Sequence, residues 1–149
     1  MKIKIGLLGN MNNNNYSLLR YLRDANYDAE LLVFNNDPKI FHPKNDSYDS
    51  KYFEYIKYLK WGSYTKYLFT SKKKIYNDIK NYNFLIGCGL APAYLNKINK
   101  NLDIFYPYGA DIDYFTSYSL TYPWKLLQLW IAVFFQIKAI KKSKIIHLE

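Results

Sequence analysis

The chain has 149 residues, half of them apolar, and a formal charge of +9 at pH 7. That length and apolar share fit one domain with a real core and exclude a disordered segment. The lysine excess attracts polyanions (nucleic acid, anionic lipid or a phosphorylated ligand) without choosing among them, and the lone Cys88 excludes an internal disulfide and a Cys-rich zinc site.

Lys2 to Asn15 reads as a buried strand that runs into a polar, glycine-started loop and opens a helix. Ile3, Ile5, Leu7 and Leu8 supply the apolar run, and Gly6 and Gly9 keep the backbone open. Leu18, Leu19, Leu22 and Ala25 make one helical face, with Asn14 or Asn15 as the expected cap. After the turn at Ala25-Asn26-Tyr27, Asp28 to Phe34 is a second strand. A strand, a helix and a strand joined so tightly give the rhythm of a parallel sheet.

Asn35 to Ser50 is a polar excursion with Pro38 and Pro43, of a length usually tied to function or motion. Tyr52, Tyr55, Ile56 and Leu59 have helical spacing, as do Tyr64, Tyr67 and Leu68, with Gly62 as a break between two helical pieces. Ser71 to Tyr82 is a capped helix with a stripe of Ile75, Tyr76, Ile79 and Tyr82. Lys72, Lys73 and Lys74 in its first turn oppose the helix dipole and read as a solvated basic face.

Phe84 to Ile86 is a short buried strand ending in Gly87-Cys88-Gly89. The next helix carries Pro92 near its first turn and Tyr94, Leu95 and Ile98 on its inner face. Asp103 to Tyr106 is another strand, followed by Pro107-Tyr108-Gly109-Ala110-Asp111-Ile112-Asp113. A long helix runs from about Pro123 to Lys142, and Lys144 to Leu148 begins a further strand. The predicted fold class is α/β: a Rossmann-like doubly wound parallel sheet with a helical, aromatic-rich insertion and a long C-terminal helix.

The continuous apolar stretch Leu129 to Phe135 is shorter than the roughly 20 residues a spanning helix needs. It is read as a buried helix. The alternative is a helix lying at a membrane surface, with Trp124, Trp130, Phe134 and Phe135 at the headgroups and Lys138, Lys141, Lys142 and Lys144 on phosphates.

Ligands of such folds collect at the carboxyl ends of the strands. The loop Gly9 to Asn15 offers backbone N–H groups and asparagine amides, with Gly9, Asn10, Asn12 and Asn14 as candidates for a sugar or diphosphate. Tyr108, Gly109, Asp111 and Asp113 follow a second strand, where a phenol and carboxylates suit sugar hydroxyls or general-base work. There is neither a G-x-G-x-x-G nor a G-x-x-x-x-G-K-S/T pattern, so NAD-type and ATP-type sites lack support. No RNP strand, GXXG loop or zinc pattern supports nucleic acid as a partner. His42 and His147 read as surface histidines and Cys88 as a small buried thiol. No metal site and no cofactor is expected, and no signal peptide is seen.

The stretch Ile5-Gly-Leu-Leu-Gly-Asn-Met-Asn-Asn-Asn-Asn-Tyr-Ser-Leu-Leu-Arg-Tyr-Leu-Arg resembles the first strand, loop and helix of bacterial glycosyltransferases of the two-Rossmann-domain (GT-B) class. Ile104-Phe-Tyr-Pro-Tyr-Gly-Ala-Asp-Ile-Asp is similar to a late strand and loop of the N-terminal domain of these enzymes, and Lys138 to Ile146 to the helix-to-strand passage that follows. The resemblance implies an N-terminal, acceptor-side domain of a larger enzyme, inactive alone. Gly9 and Asn10 would border the donor phosphates, and Tyr108 and Asp111 would face the interdomain cleft. It also implies a glycan or lipid-linked acceptor, a nucleotide sugar shared with a second domain, and a place in the cytoplasm, peripheral on the inner face of the plasma membrane. The alternatives are a stand-alone flavodoxin-like binding or regulatory domain and a peripheral membrane-binding module.

Overall fold

The first strand, β1 (Lys4–Leu8), is apolar without alternation because it is covered on both faces. It is followed by α1 (Asn14–Asp24), β2 (Asp28–Phe34), β3 (Ile56–Leu59), α2 (Lys72–Ile79), β4 (Phe84–Gly87), α3 (Ala91–Asn96), β5 (Ile104–Phe105), α4 (Pro123–Ile140) and β6 (Ile145–Ile146). This computed structural model describes residues 3–34, 37, 39–45, 50–108 and 123–147, with the backbone alone at 123–126.

All six strands are parallel, in the order β3-β2-β1-β4-β5-β6. Leu7 of β1 stands opposite Leu31 of β2 on one side and Ile86 of β4 on the other. The fold is α/β and Rossmann-like. Its strand order departs from the flavodoxin-like 2-1-3-4-5 arrangement.

Right-handed crossovers decide which face each helix takes. The chain moves one way across the sheet from β1 to β3 and the other way from β4 to β6. Ile5, Leu7, Ala29, Leu31 and Val33 therefore meet Tyr16 and Leu19 of α1. Leu8, Leu32, Phe34, Leu85 and Phe105 meet Ile75 and Ile79 of α2, Tyr94 and Leu95 of α3 and Ala132 of α4 on the opposite face. Among the described residues α1 is the only α-helix on its face, which the 3-10 turn Ser50–Tyr55 shares.

Several expectations change. The stretch 50–59 is a 3-10 turn (Ser50–Tyr55) followed by the edge strand β3, not a helix. The apolar positions 52, 55, 56 and 59 match a helical period, but Ile56 to Leu59 docked beside β2 gains ladder hydrogen bonds there. Tyr64–Lys66 is likewise only a 3-10 turn, with Tyr67 buried and Leu68 exposed. Gly62 lies between the two pieces as expected, at φ +121, and a Cβ there would come within 2.3 Å of the Phe34 ring. On α2, Ser71 Oγ accepts from Lys74 N–H, and Ile75 and Ile79 are buried, but Tyr76 faces solvent. On α1 the buried residues are Asn15, Tyr16 and Leu19, while Ala25 is exposed.

The tyrosines are in part structural. Tyr16, Tyr52, Tyr67, Tyr82 and Tyr94 are buried. Trp61, fully buried, lies 5.5 Å from Phe34 and 5.0 Å from Tyr94 between ring centroids and donates Nε1–H to Asp78 Oδ2 at 2.7 Å. Its one polar atom is thus satisfied.

One face of α4 packs inward through Leu129, Ala132, Val133 and Ala139. Gln136 lies among them because it joins two elements. Its Oε1 accepts Ala93 N–H at 2.9 Å in the first turn of α3, and its Nε2 donates to Gly89 O at 2.6 Å. The other face exposes Leu127, Trp130, Phe134 and Ile137 beside exposed Lys138 and Lys141, and Lys142 is exposed too. The helix is neither wholly buried nor polar outside. The Trp124 side chain lies outside the described residues. Among those residues no helix is long and apolar enough to cross a membrane.

Candidate functional site

In the observed strand order, β1 and β4 are neighbours whose following helices leave to opposite faces. That divergence opens a crevice at their carboxyl ends. Three loops reach it: 9–13 after β1, 88–90 after β4, and 106–108 after β5.

The first loop begins with a close approach. Gly9 has φ +80, and a Cβ there would meet Cys88 Sγ at 2.9 Å and the Phe34 ring at 3.1 Å, so glycine alone fits. Gly9 N–H donates to Leu32 O at 2.9 Å. Asn12 and Asn13 then both take left-handed backbone, at φ 52 and φ 58, a conformation asparagine tolerates better than most residues. This accounts for the asparagine run.

The asparagines have different tasks. Asn10 is fully buried. Its Nδ2 donates to Asn13 Oδ1 and to Phe41 O, each at 2.7 Å, and its Oδ1 accepts Tyr16 N–H at 3.0 Å. It therefore does the helix capping that was expected of Asn14 or Asn15. Asn14 is instead the first residue of α1, and the Asn13 side chain makes no cap bond. Asn15, also fully buried, donates to Gly9 O at 2.8 Å and to Leu8 O at 3.3 Å. Asn12 is exposed on the loop shoulder, and Asn14 is half-buried.

Asp37 clamps the loop from the end of β2. Its Oδ2 accepts Asn10 N–H at 3.1 Å and Phe34 N–H at 3.0 Å. This residue was missed in the sequence. An aspartate three residues past a strand and just before a proline is a turn-forming signal.

Tyr108 stands beside Asn14, so the structure joins two of the expected site residues across the crevice. Burial first, and then contact with Tyr106, pushes the Tyr108 phenol far above its ordinary value, while Asn14 pulls it back. Burial thus favours the neutral form of the Tyr108 phenol. Tyr106 meets Tyr108 edge-on at 4.8 Å. Gly109, Asp111 and Asp113 lie outside the described residues.

Cys88 is buried, its thiol directed to Leu8 O at 3.6 Å. His42 stacks on Tyr58 and shares a 2.8 Å hydrogen bond with the Tyr58 hydroxyl. His147 packs against Tyr106 at 4.9 Å. No group of three or more His, Cys, Asp or Glu side chains able to hold a metal ion forms among the described residues. Among the described residues the site is thus made of neutral amides, a phenol and loop backbone, suited to polar, uncharged groups such as sugar hydroxyls. No protein-family model, no curated protein and no solved structure matches this chain.

Proposed function

We propose that this chain is the acceptor-side, Rossmann-like domain of a bacterial two-domain glycosyltransferase that moves a sugar from a nucleotide-sugar donor to a surface polysaccharide or glycolipid acceptor. The observation that carries the reading is the pairing of Asn14 with Tyr108 at the β1/β4 switch point, without a dinucleotide fingerprint. Neutral amide and phenol groups match sugar hydroxyls, and the donor would be held by a second domain across the crevice. Asn10, whose side chain is engaged within the loop, shapes the site, while Asn12 and Asn14 are the groups offered to the ligand and Tyr108, its hydroxyl buried, backs Asn14.

The native reading frame is the first test. It should continue into a second domain with its own βαβ units. The complete enzyme should transfer sugar, and Asn14→Ala and Tyr108→Phe should each lower kcat/KM about tenfold, the loss of one good hydrogen bond. Transfer by residues 1–149 alone would overturn the fragment reading.

A second observation supports a peripheral place on the inner face of the plasma membrane. The exposed face of α4 joins Leu127, Trp130, Phe134 and Ile137 to Lys138 and Lys141, with no acidic residue anywhere in the helix. Apolar side chains would enter the headgroup region while the lysines meet lipid phosphates. Sedimentation with anionic vesicles at low salt, lost in Trp130→Glu with Phe134→Glu, is the expected result. No binding at low salt would remove this placement.

A further inference from the structure

A recess of about 470 Å³ lies on the α1 face of the sheet, over β4, β5 and β6, where the crossover rule leaves no helix among the described residues. Its volume is in the range of small-molecule sites, roughly 300–1,000 Å³. Positions 14, 17, 18 and 21 share one helical face and form the α1 wall, and Ile86, Ile104 and Ile145, aligned across three strands, form the floor.

Two properties define what fits. The floor is aliphatic, and part of it is open to water: Ile145 is 55 % exposed. The polar groups around it are the Asn14 amide, the Ser17 hydroxyl, the Tyr21 and Tyr106 phenols and the His147 ring. None of the described lining residues is Lys, Arg, Asp or Glu, in a chain that carries +9. A phosphate or carboxylate head finds no ionic partner among them, whereas sugar hydroxyls find donors and acceptors. Asn14, which lines the recess, also stands beside Tyr108, so the α1 end of the recess lies next to the switch-point loops.

We propose that this recess binds the hydrocarbon chain of a neutral glycolipid, with its sugar directed along Asn14 and Ser17 toward the crevice. This rests on the acceptor-side reading and narrows it, from glycan or glycolipid to glycolipid. Leu18, Ile86, Ile104 and Ile145 take the chain, and removing that apolar surface from water drives binding.

The test uses octyl β-D-glucopyranoside below its micelle concentration as the probe, titrated into the 149-residue chain by calorimetry, with free glucose as the head-only comparison. Saturable binding of the octyl glucoside and at least about tenfold weaker binding of glucose are expected. Ile145→Lys, at an exposed position that tolerates it, should weaken the probe about tenfold, because it sets a charge against the chain. Leu18→Gln should act in the same direction. Phe134→Glu, on the far side of the sheet, should leave the affinity unchanged. No saturable binding, equal affinity for glucose, or indifference to both Ile145→Lys and Leu18→Gln would each overturn the proposal. The two readings separate cleanly. A complete enzyme that transfers equally well to a free oligosaccharide and to a glycolipid refutes the recess proposal and leaves the transferase reading standing. A reading frame without a second domain refutes the transferase reading, and the titration still decides the recess.

Discussion

Replacing Asn10 by alanine removes three side-chain hydrogen bonds at once: those to Asn13 Oδ1 and Phe41 O and the one from Tyr16 N–H. Each is worth about 1 kcal/mol net, and a buried group left unpaired costs about 1–3 kcal/mol. Tyr16 is fully buried, so its N–H has no water to turn to, while the Phe41 side of the loop is only partly covered. The expected loss is therefore about 2–4 kcal/mol, a large share of the roughly 5–15 kcal/mol that holds a domain together. Urea unfolding followed by circular dichroism should show the midpoint falling by about 1–2 M with an unchanged slope. Asn10→Asp should also destabilise, since it keeps the acceptor for Tyr16 N–H but turns an oxygen toward Phe41 O. Asn12→Gly, at an exposed left-handed position, should stay within about 0.5 kcal/mol of the parent. If Asn10→Ala is as stable as the parent, the loop is not organised from within as described, and Asn10 becomes a ligand group again.

Two further outcomes follow from buried polar contacts. Burial would raise the Glu30 carboxyl, but hydrogen bonds from Lys4, Lys57 and Tyr82 outweigh it and lower its pKa from 4.5 to about 2. Its stabilisation is thus complete above pH 4.5 and disappears as the pH falls toward about 2. The full linkage is on the order of 3 kcal/mol, and screening at Lys57, whose side chain is 55 % exposed, reduces it to about 1–2 kcal/mol. Glu30→Gln should lose that amount at neutral pH and converge with the parent in acid, read by urea midpoints across the range; a constant difference at every pH would contradict the network. Gln136→Leu should cost about 2–4 kcal/mol by leaving Ala93 N–H and Gly89 O unpaired, visible in thermal unfolding; a more stable variant would mean that the join between α3 and α4 is dispensable.

The positions of the elements were largely legible along the chain. β1, β2, β4 and the helices after Asn13, Ser71, Leu90 and Tyr122 follow from apolar periodicity, glycine and proline punctuation and one serine cap. The stretch 50–69 was not, because its aromatic spacing satisfies both a helical and an extended period. A strand docked at the free side of β2 decided the choice, and such a partner exists only in three dimensions. The site was legible in location, since strand ends collect ligands, but not in the division of labour among its asparagines. Asn10, Asn12, Asn14 and Asn15 are the same residue type within six positions, and nothing local separates a buried cap from an exposed shoulder.

The α/β class, the parallel rhythm, the buried strand at the start and the lack of a nucleotide fingerprint were readable in residue order, because they depend on local propensity and on contacts between neighbours in the chain. The strand order β3-β2-β1-β4-β5-β6, the meeting of Asn14 with Tyr108, the clamp from Asp37 and the apolar recess between α1 and the last three strands emerge only in the folded chain. Each joins residues far apart in sequence, and the hand of the crossovers and the faces they cover are set by strand twist and packing across the whole sheet.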